Sequence, residues 1–456
     1  MALPDPVNNF SGDIFSEAIN FLTSGFSTKP NGLITFLYTL GIYLYTAGIR
    51  LAAIWNEKAR QWISGRQRIW QQLETFKATA PEGVPRIWIH CASLGEFEQG
   101  RPLIEKIKAR HPEVQLILTF FSPSGYEIRK NYPQADLICY LPVDTPGRTR
   151  RFVQELRPDL AIFVKYEFWY HHLHALDRAG IPTLLISAIF RPSQIFFRSY
   201  GFWYRRLLTH FRHIFTQDSN SGQLLQSIGV QHFSRAGDTR VDRVLQLREQ
   251  APTFPEIARF RGDAPVWIAG SSWPVDEALL FPFWEATLPA NWKLIIAPHD
   301  IAADHIEQIE QNCKWPSVRY SQLGETETAA RVLIIDNIGM LSALYQYGRI
   351  AYIGGGFGKA IHNLLEPIAF GLPVLFGPKH EKFQEALALK RSGGGFAIEG
   401  REDLDAAFEQ LRQDDAYAEA SRQALAYLQE NQGSTDKILQ YLDTHFPTLF
   451  EPRASH

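Results

Sequence analysis

Apolar and polar positions divide the chain into three stretches. Residues 1–31 mix Pro, Ser, Asn and Gly with little pattern and read as a poorly ordered tail. Gly32 to Ile49 then carries no charge at all; Arg50 interrupts the run, and Leu51 to Trp55 continue it. From Pro85 onward, short apolar runs alternate with amphipathic stretches. Arg86–Cys91, Val114–Phe120, Ala135–Tyr140, Leu160–Val164, Thr183–Ser187 and His213–Thr216 read as buried strands. A second series comprises Val266–Ala269, Trp292–Ala297, Val332–Asp336, Ile350–Ile353, Pro373–Phe376 and Gly395–Ile398. Strands alternating with helices make parallel sheets covered on both faces, so two doubly wound, Rossmann-like α/β domains in tandem are expected.

At 456 residues the chain exceeds the size at which one core keeps growing, which agrees with two domains. The expected boundaries are a first domain over 57–243 and a second over 244–435, with the charged helical stretch Thr239 to Ile257 between them. Residues 436–456 are expected to form a tail or a helix packing back toward the first domain. Ligands of such folds bind at the carboxyl ends of the strands, so the loops there hold the candidate chemistry.

The uncharged run marks a membrane-anchor helix over 32–56, close to the ~20 residues a full span needs. Tyr38, Tyr43, Tyr45 and Trp55 suit the interface, and Arg50 can snorkel. Lys58, Arg60, Arg66 and Arg68 follow, which places the downstream chain in the cytoplasm if the segment spans. The late start and the lack of a small-residue cleavage site argue against a cleaved signal peptide. A buried helix of the soluble body is the other reading.

A net charge of -2 argues against a general polyanion binder, so no nucleic-acid partner is expected. Three scattered cysteines, Cys91, Cys139 and Cys313, suggest a reducing compartment. No C-x-x-C or H-E-x-x-H spacing points to a metal.

The richest stretch follows Ile350–Ile353. Gly354, Gly355, Gly356 and Gly358 let the backbone turn sharply and approach a ligand. A helix is expected from Ile361, its free N–H groups favouring an anion. Glu366, close to His362 and Asn363, would accept hydrogen bonds from sugar hydroxyls. The combination reads as a nucleotide site, although it is neither a Walker loop nor a G-x-G-x-x-G fingerprint. A tight turn capped by Asn363 fits the glycines equally well. Three further loops at strand ends, Gly270-Ser271-Ser272, Ala297-Pro298-His299-Asp300 and Asp336-Asn337-Ile338-Gly339-Met340, would surround the same ligand.

In the first domain Glu96 follows a strand through Ser93-Leu94-Gly95, where a general base would sit; a first-turn Glu favoured by the helix dipole is the simpler alternative. Lys165 and Glu167 follow another strand, and Glu167 would either fix the turn or hold a sugar hydroxyl. Between Phe190 and Phe215, Arg191, Arg198, Arg205, Arg206 and Arg212 alternate with aromatic residues without an acidic neighbour. That composition suits an anionic membrane surface, a phosphorylated lipid headgroup or single-stranded nucleic acid, or an amphipathic helix with its rings inward.

Several of these pieces, in this order, resemble the bacterial 3-deoxy-D-manno-octulosonic acid (Kdo) transferases of lipid A and lipopolysaccharide biosynthesis. The motifs are Trp88-Ile89-His90 through Glu96, Glu167-Phe168-Trp169, Gly237 to Asp242, Ala269-Gly270-Ser271-Ser272 and His362-Asn363-Leu364-Leu365-Glu366-Pro367. The resemblance implies a GT-B fold, two Rossmann-like domains facing a cleft. It implies an inverting transfer of Kdo from CMP-Kdo to a lipid A precursor (lipid IVA) at the inner membrane, with no cofactor and no metal. Glu96 would be the catalytic base; Ser93, Gly95, Lys165, Glu167, Arg191 and Arg198 would face acceptor or sugar. Gly270, Ser271, Ser272, His299, Asn337, Gly339, Gly355, Gly356, His362, Asn363 and Glu366 would hold CMP, and Arg240 and Lys379 would serve the phosphate. The alternatives are a membrane-associated nucleotide-sugar epimerase of the same architecture and a non-catalytic lipid-binding protein.

Overall fold

Every pairing between strands is parallel, in two sheets of seven strands each. The structure is a computed structural model and describes residues 30–81, 83–324 and 329–451. The tail expected at the N-terminus lies, over 1–29, outside the described residues. The first sheet comprises β1 Arg86–Cys91, β2 Gln115–Phe120, β3 Leu137–Tyr140, β4 Leu160–Val164, β5 Thr183–Ala188, β6 His213–Thr216 and β7 Phe233–Arg235. The second comprises β8 Val266–Ser272, β9 Lys293–Pro298, β10 Ser317–Arg319, β11 Val332–Ile334, β12 Ile350–Ile353, β13 Val374–Phe376 and β14 Gly395–Ala397.

Their orders are β3-β2-β1-β4-β5-β6-β7 and β10-β11-β9-β8-β12-β13-β14. In each sheet the connections run to opposite sides of one central pair, β1 and β4 in the first and β8 and β12 in the second, where β10 and β11 are in addition exchanged at the edge. Those are the switch points where an open α/β sheet leaves a crevice beyond its strand ends. These are the two doubly wound, Rossmann-like sheets expected from the strand–helix alternation, in the GT-B type of architecture that the resemblance implies.

Successive strand residues bury on opposite faces, which is why the strands read as continuous apolar runs. In the first sheet Trp88, Phe163 and Ile214 enter one core cluster, while Ile87, Ile89 and Ile162 enter another. In the second, Ile268, Ile295 and Ala351 lie on one face and Trp267, Ala269, Leu294 and Tyr352 on the other.

The chain divides into two units, Met1–Arg240 with Gly433–His456, and Val241–Gln432. The helix Ser434–His445 places Ile438, Leu439 and Leu442 in the core cluster that also holds Ile104 and Ile107 of the helix Leu94–Arg110. Lys106 pairs with Asp436 at 2.7 Å.

The N-terminal helix Pro30–Ala52 is the one helix among the described residues long and apolar enough to cross a membrane. One stripe of it, Tyr38, Ile42 and Thr46, is buried against the first unit. Tyr38 donates to the buried carboxylate of Asp144 at 2.6 Å, and Thr39 Oγ1 lies 2.9 Å from His171 Nε2. Leu33, Phe36, Leu40, Tyr43, Leu44 and Leu51 face outward on the rest of its surface. Of the cations that follow, Arg66 is buried, its guanidinium 3.7 Å above the Trp62 ring, so it is a packing residue rather than a flanking surface charge.

Candidate active site

In the first unit the residues that follow β1, β4, β5 and β6 converge electrostatically. Ser93 caps the helix Leu94–Arg110, and Glu96, half-buried in its first turn, accepts a hydrogen bond from the Ser93 hydroxyl. Gly95 beside it is exposed. On the far side of the switch point Lys165 leaves β4 in the left-handed region with φ 73°, its N–H donating to Ile186 O at 2.9 Å. Non-glycine residues held there are strained; Ser187 (φ 55°) and Ser271 (φ 54°) occupy corresponding places at the ends of β5 and β8. Burial pushes the Tyr166 phenol up from its ordinary value. Arg191 pulls it the other way, while Glu96 and Asp218 add to the rise. The charges of Arg191, Glu96 and Asp218 thus bear on Tyr166, a residue that sequence reasoning passed over.

Glu167 turns inward. It is buried, and its Oε2 lies 3.0 Å from His90 Nε2 and accepts the Trp169 indole N–H at 2.5 Å. His90 Nδ1 is in turn 2.9 Å from Thr119 Oγ1. The carboxylate therefore fixes the turn after β4 to β1 and β2, which is the first of the two roles expected of it. Arg198 is exposed, away from this inner network, with its Nε 3.4 Å from Ser193 O. The arginine–aromatic stretch also turns mostly inward: Phe190, Phe196, Trp203 and Phe211 are buried, and only Tyr200 and Phe202 of its rings are largely exposed. Arg205 donates to Phe196 O and Arg198 O at 2.7 Å each. Arg240 lies against Asp238, with contacts of 2.9 and 2.6 Å, so its proposed phosphate role would require it to leave that carboxylate.

In the second unit the loops after β8, β9, β12 and β13 form one continuous surface. Gly270 bonds along β12, and the backbones come so close that a Cβ on Gly354 would lie 2.2 Å from Ser271 O. A Cβ on Gly356 would lie 2.6 Å from the Gly377 backbone, and Gly355 has φ 92°. These glycines are thus required by close approach and by conformation. Asp276, buried at the start of the helix Pro274–Thr287, draws the loops together. It accepts Tyr352 Oη at 2.8 Å, Gly355 N at 2.9 Å and Trp273 N at 3.0 Å. Its signal in the sequence is a helix start, proline followed two residues later by an acid.

Ser272, expected at the CMP site, turns its buried hydroxyl inward and donates to Glu277 Oε1 at 2.7 Å. His299, exposed, stacks on Trp273 at 4.3 Å and on His362 at 4.6 Å between ring centroids. The Trp273 indole donates to His362 Nε2 at 3.1 Å. Burial holds the His362 imidazole below its ordinary value, and the neighbouring His299 adds to this while Asp276 opposes it.

The helix expected from Ile361 starts later and is short, Leu365–Ala369. Pro367 shortly after its start lets the first turn form, but Gly371 in the left-handed region and the strand Val374–Phe376 soon follow. His362 and Asn363 therefore belong to the preceding loop. Asn363 Oδ1 accepts Leu365 N at 3.0 Å, and its Nδ2 donates to Glu366 Oε1 at 3.0 Å, so capping and orientation of Glu366 are done by one side chain. Asn337 and Gly339 are exposed on the loop after β11. Lys379 is exposed and bonds back to Gly358 O across the glycine loop.

Residues 66–243 match the family model of 3-deoxy-D-manno-octulosonic-acid transferase (kdotransferase). The 3-deoxy-D-manno-octulosonic acid transferase of Haemophilus influenzae is 27% identical over 381 residues, 79% of this chain and 87% of that protein. The one from Aquifex aeolicus is 27% identical over 323 residues, 70% of this chain and 83% of its own. Among solved structures, a UDP-GlcNAc 2-epimerase from Neisseria meningitidis superposes with a TM-score of 0.55 at 15% identity, covering 79% of this chain and 100% of that one. At that identity the last match speaks for the two-sheet fold alone.

Proposed function

We propose that this chain, a relative of the Kdo transferases and with them a glycosyltransferase, transfers Kdo from CMP-Kdo to a lipid A precursor at the inner membrane. The observation that carries this reading is Glu96. It is the half-buried carboxylate at the switch point of the first sheet, held by Ser93, and its charge bears on the Tyr166 phenol. A carboxylate so placed accepts the proton of an acceptor hydroxyl, whose oxygen then attacks the anomeric carbon. Attack from the face opposite CMP inverts that centre.

Loss of a positioned base typically lowers turnover roughly 10²–10⁴-fold, so the base is not the whole of catalysis and other groups contribute the rest. In the second unit His362, Asn363 and Glu366 supply neutral donors and a carboxylate for phosphate and ribose, and the glycine loop brings backbone close to the ligand. Lys379 provides a cation beside that loop. On this reading departure of CMP relies on fixed dipoles and these side chains, without a metal. The outward apolar face of the helix Pro30–Ala52 would lie in the cytoplasmic leaflet, where the acceptor's acyl chains are.

Incubation with CMP-Kdo, with and without the lipid A precursor, tests the reading. Acceptor-dependent CMP release that a folded Glu96→Gln protein loses by at least a hundredfold is expected. Acceptor-independent turnover would point instead to an epimerase, and full activity of Glu96→Gln would remove the base.

A further inference from the structure

Trp273, His299 and His362 come from three different loops yet form one stack. The rings of Trp273 and His299 are 4.3 Å apart with 23° between planes, and those of His299 and His362 are 4.6 Å apart with 28°. The indole N–H of Trp273 donates to His362 Nε2 at 3.1 Å. An indole nitrogen can only donate, so Nε2 of His362 must be the ring's acceptor, and its single proton must reside on Nδ1. The ring is held from below as well. His362 N donates to Gly354 O at 3.1 Å, and a Cβ on Gly355 would come within 3.0 Å of the imidazole. Among the described residues Nδ1 has no protein partner.

We propose that Trp273 is a positioning residue that locks His362 as the neutral Nδ1–H imidazole, so that the ring offers one fixed hydrogen-bond donor to the phosphate of the donor nucleotide. The inference rests on the reading of this surface as the CMP site. The titratable groups facing His362 are His299 from the loop after β9 and Asp276 from the helix Pro274–Thr287; burial and His299 disfavour the imidazolium and Asp276 favours it. Accepting from Trp273 blocks protonation at Nε2, and the ring stays neutral while the bond persists. Without that bond, either tautomer is available, and Nε2 can take a proton as pH falls.

The test uses the full chain and CMP alone as the probe. Trp273→Phe keeps a stacking ring and removes the N–H. Its CMP affinity is expected to be roughly three- to tenfold weaker than wild type at pH 7.5, the worth of one misdirected hydrogen bond. The ratio of the two affinities is expected to approach one at pH 5.5, where the freed imidazole gains a charge facing the phosphate. Comparison at each pH cancels the titration of CMP itself. In 15N-histidine spectra without ligand, His362 of the wild type should show the Nδ1–H tautomer from pH 7.5 to 5.5, and Trp273→Phe should show mixed tautomers that titrate. An asparagine can stand in for Nδ1–H, so in a His362→Asn background the Trp273→Phe change should no longer alter the pH dependence.

An affinity ratio that is the same at every pH, with unchanged spectra, would mean that Trp273 merely packs there and would overturn the proposal. If the wild type binds no CMP, the assignment of the donor site fails instead, and the spectra still decide the tautomer.

Discussion

The carboxylate of Asp276 accepts the backbone N–H of Gly355 at 2.9 Å, joining the helix that follows β8 to the glycine loop that follows β12. The same side chain takes Tyr352 Oη and the Trp273 N–H. Three donors thus converge on one acceptor-only group in a site closed to water. Asp276→Asn has almost the same shape, but its amide NH2 must face at least one of those donors. Leaving a buried donor unmatched costs about 1–3 kcal/mol. Thermal melting of Asp276→Asn should fall accordingly, and CMP affinity should fall with it because a neutral amide holds Gly355 and Trp273 less firmly than the carboxylate does. Unchanged melting and unchanged affinity would show that Asp276 does not organise these loops.

The glycines of the loop should differ sharply in tolerance. A Cβ at Gly356 would meet Gly377 backbone atoms at 2.6 Å, and backbone on both sides leaves nothing to swing away. Gly356→Ala is expected to destabilise by about 1–3 kcal/mol, as overpacking does, and to abolish measurable CMP binding. Gly358→Ala meets only Gly355 O, at 3.4 Å, with an ordinary φ, and should bind CMP within about twofold of wild type. Calorimetric titration of the two proteins checks both halves; equal tolerance at 356 and 358 would refute the close-approach account.

How far the sequence can be read depends on where the determinants lie. The inner strands, such as Arg86–Cys91, Leu160–Val164 and Ile350–Ile353, have the bounds their apolar runs predict, because both faces of a parallel strand are buried. The edge strands Phe233–Arg235 and Ser317–Arg319 are three residues long and largely uncovered, so they leave no apolar run to find. Glu96 was legible from its place after a strand. For Glu167 two readings stayed open, fixing the turn or holding a sugar hydroxyl, because its partner His90 is distant in sequence. Asp276 looks like any first-turn acid until Gly355 is brought to it. The inward packing of Phe196 and Trp203 likewise depends on Phe168, Tyr170 and Tyr38 arriving from other elements.

The N-terminal helix separates two roles on two faces, and two substitutions should separate them. Tyr38→Phe removes the phenol that donates to Asp144 at 2.6 Å within a buried contact. Loss of about 1–3 kcal/mol is expected, with the helix more open to hydrogen exchange, while its apolar outer face is untouched. Leu44→Glu instead places a charge on the outer face, where Leu44 is 64% exposed. It should leave melting in detergent unchanged and weaken sedimentation with anionic vesicles. A helix whose only role is packing inside the protein would give the opposite pattern, with Leu44→Glu silent in the vesicle assay.

A buried histidine in the second unit gives a pH dependence of defined sign. His305 Nε2 lies 3.0 Å from Glu277 Oε2, and its Nδ1 is 2.8 Å from Asp300 O. Burial works against the charged ring, but the hydrogen bond to Glu277, the Asp300 carbonyl and the Glu277 charge outweigh it, so the imidazole is held above its ordinary value. A folded-state value above the unfolded one, which is ~6.5 for histidine, means that the folded protein binds the proton more tightly. The stabilisation is therefore fully present below that unfolded value and is lost as pH rises through the higher folded one. His305→Gln keeps a polar group near Glu277 but cannot carry the charge. The melting temperature of wild type should exceed that of His305→Gln by most at about pH 6 and by progressively less toward pH 8.5. A difference that is constant across this range, or that widens with pH, would mean that the pair is not an ion pair and that His305 is neutral in the folded protein.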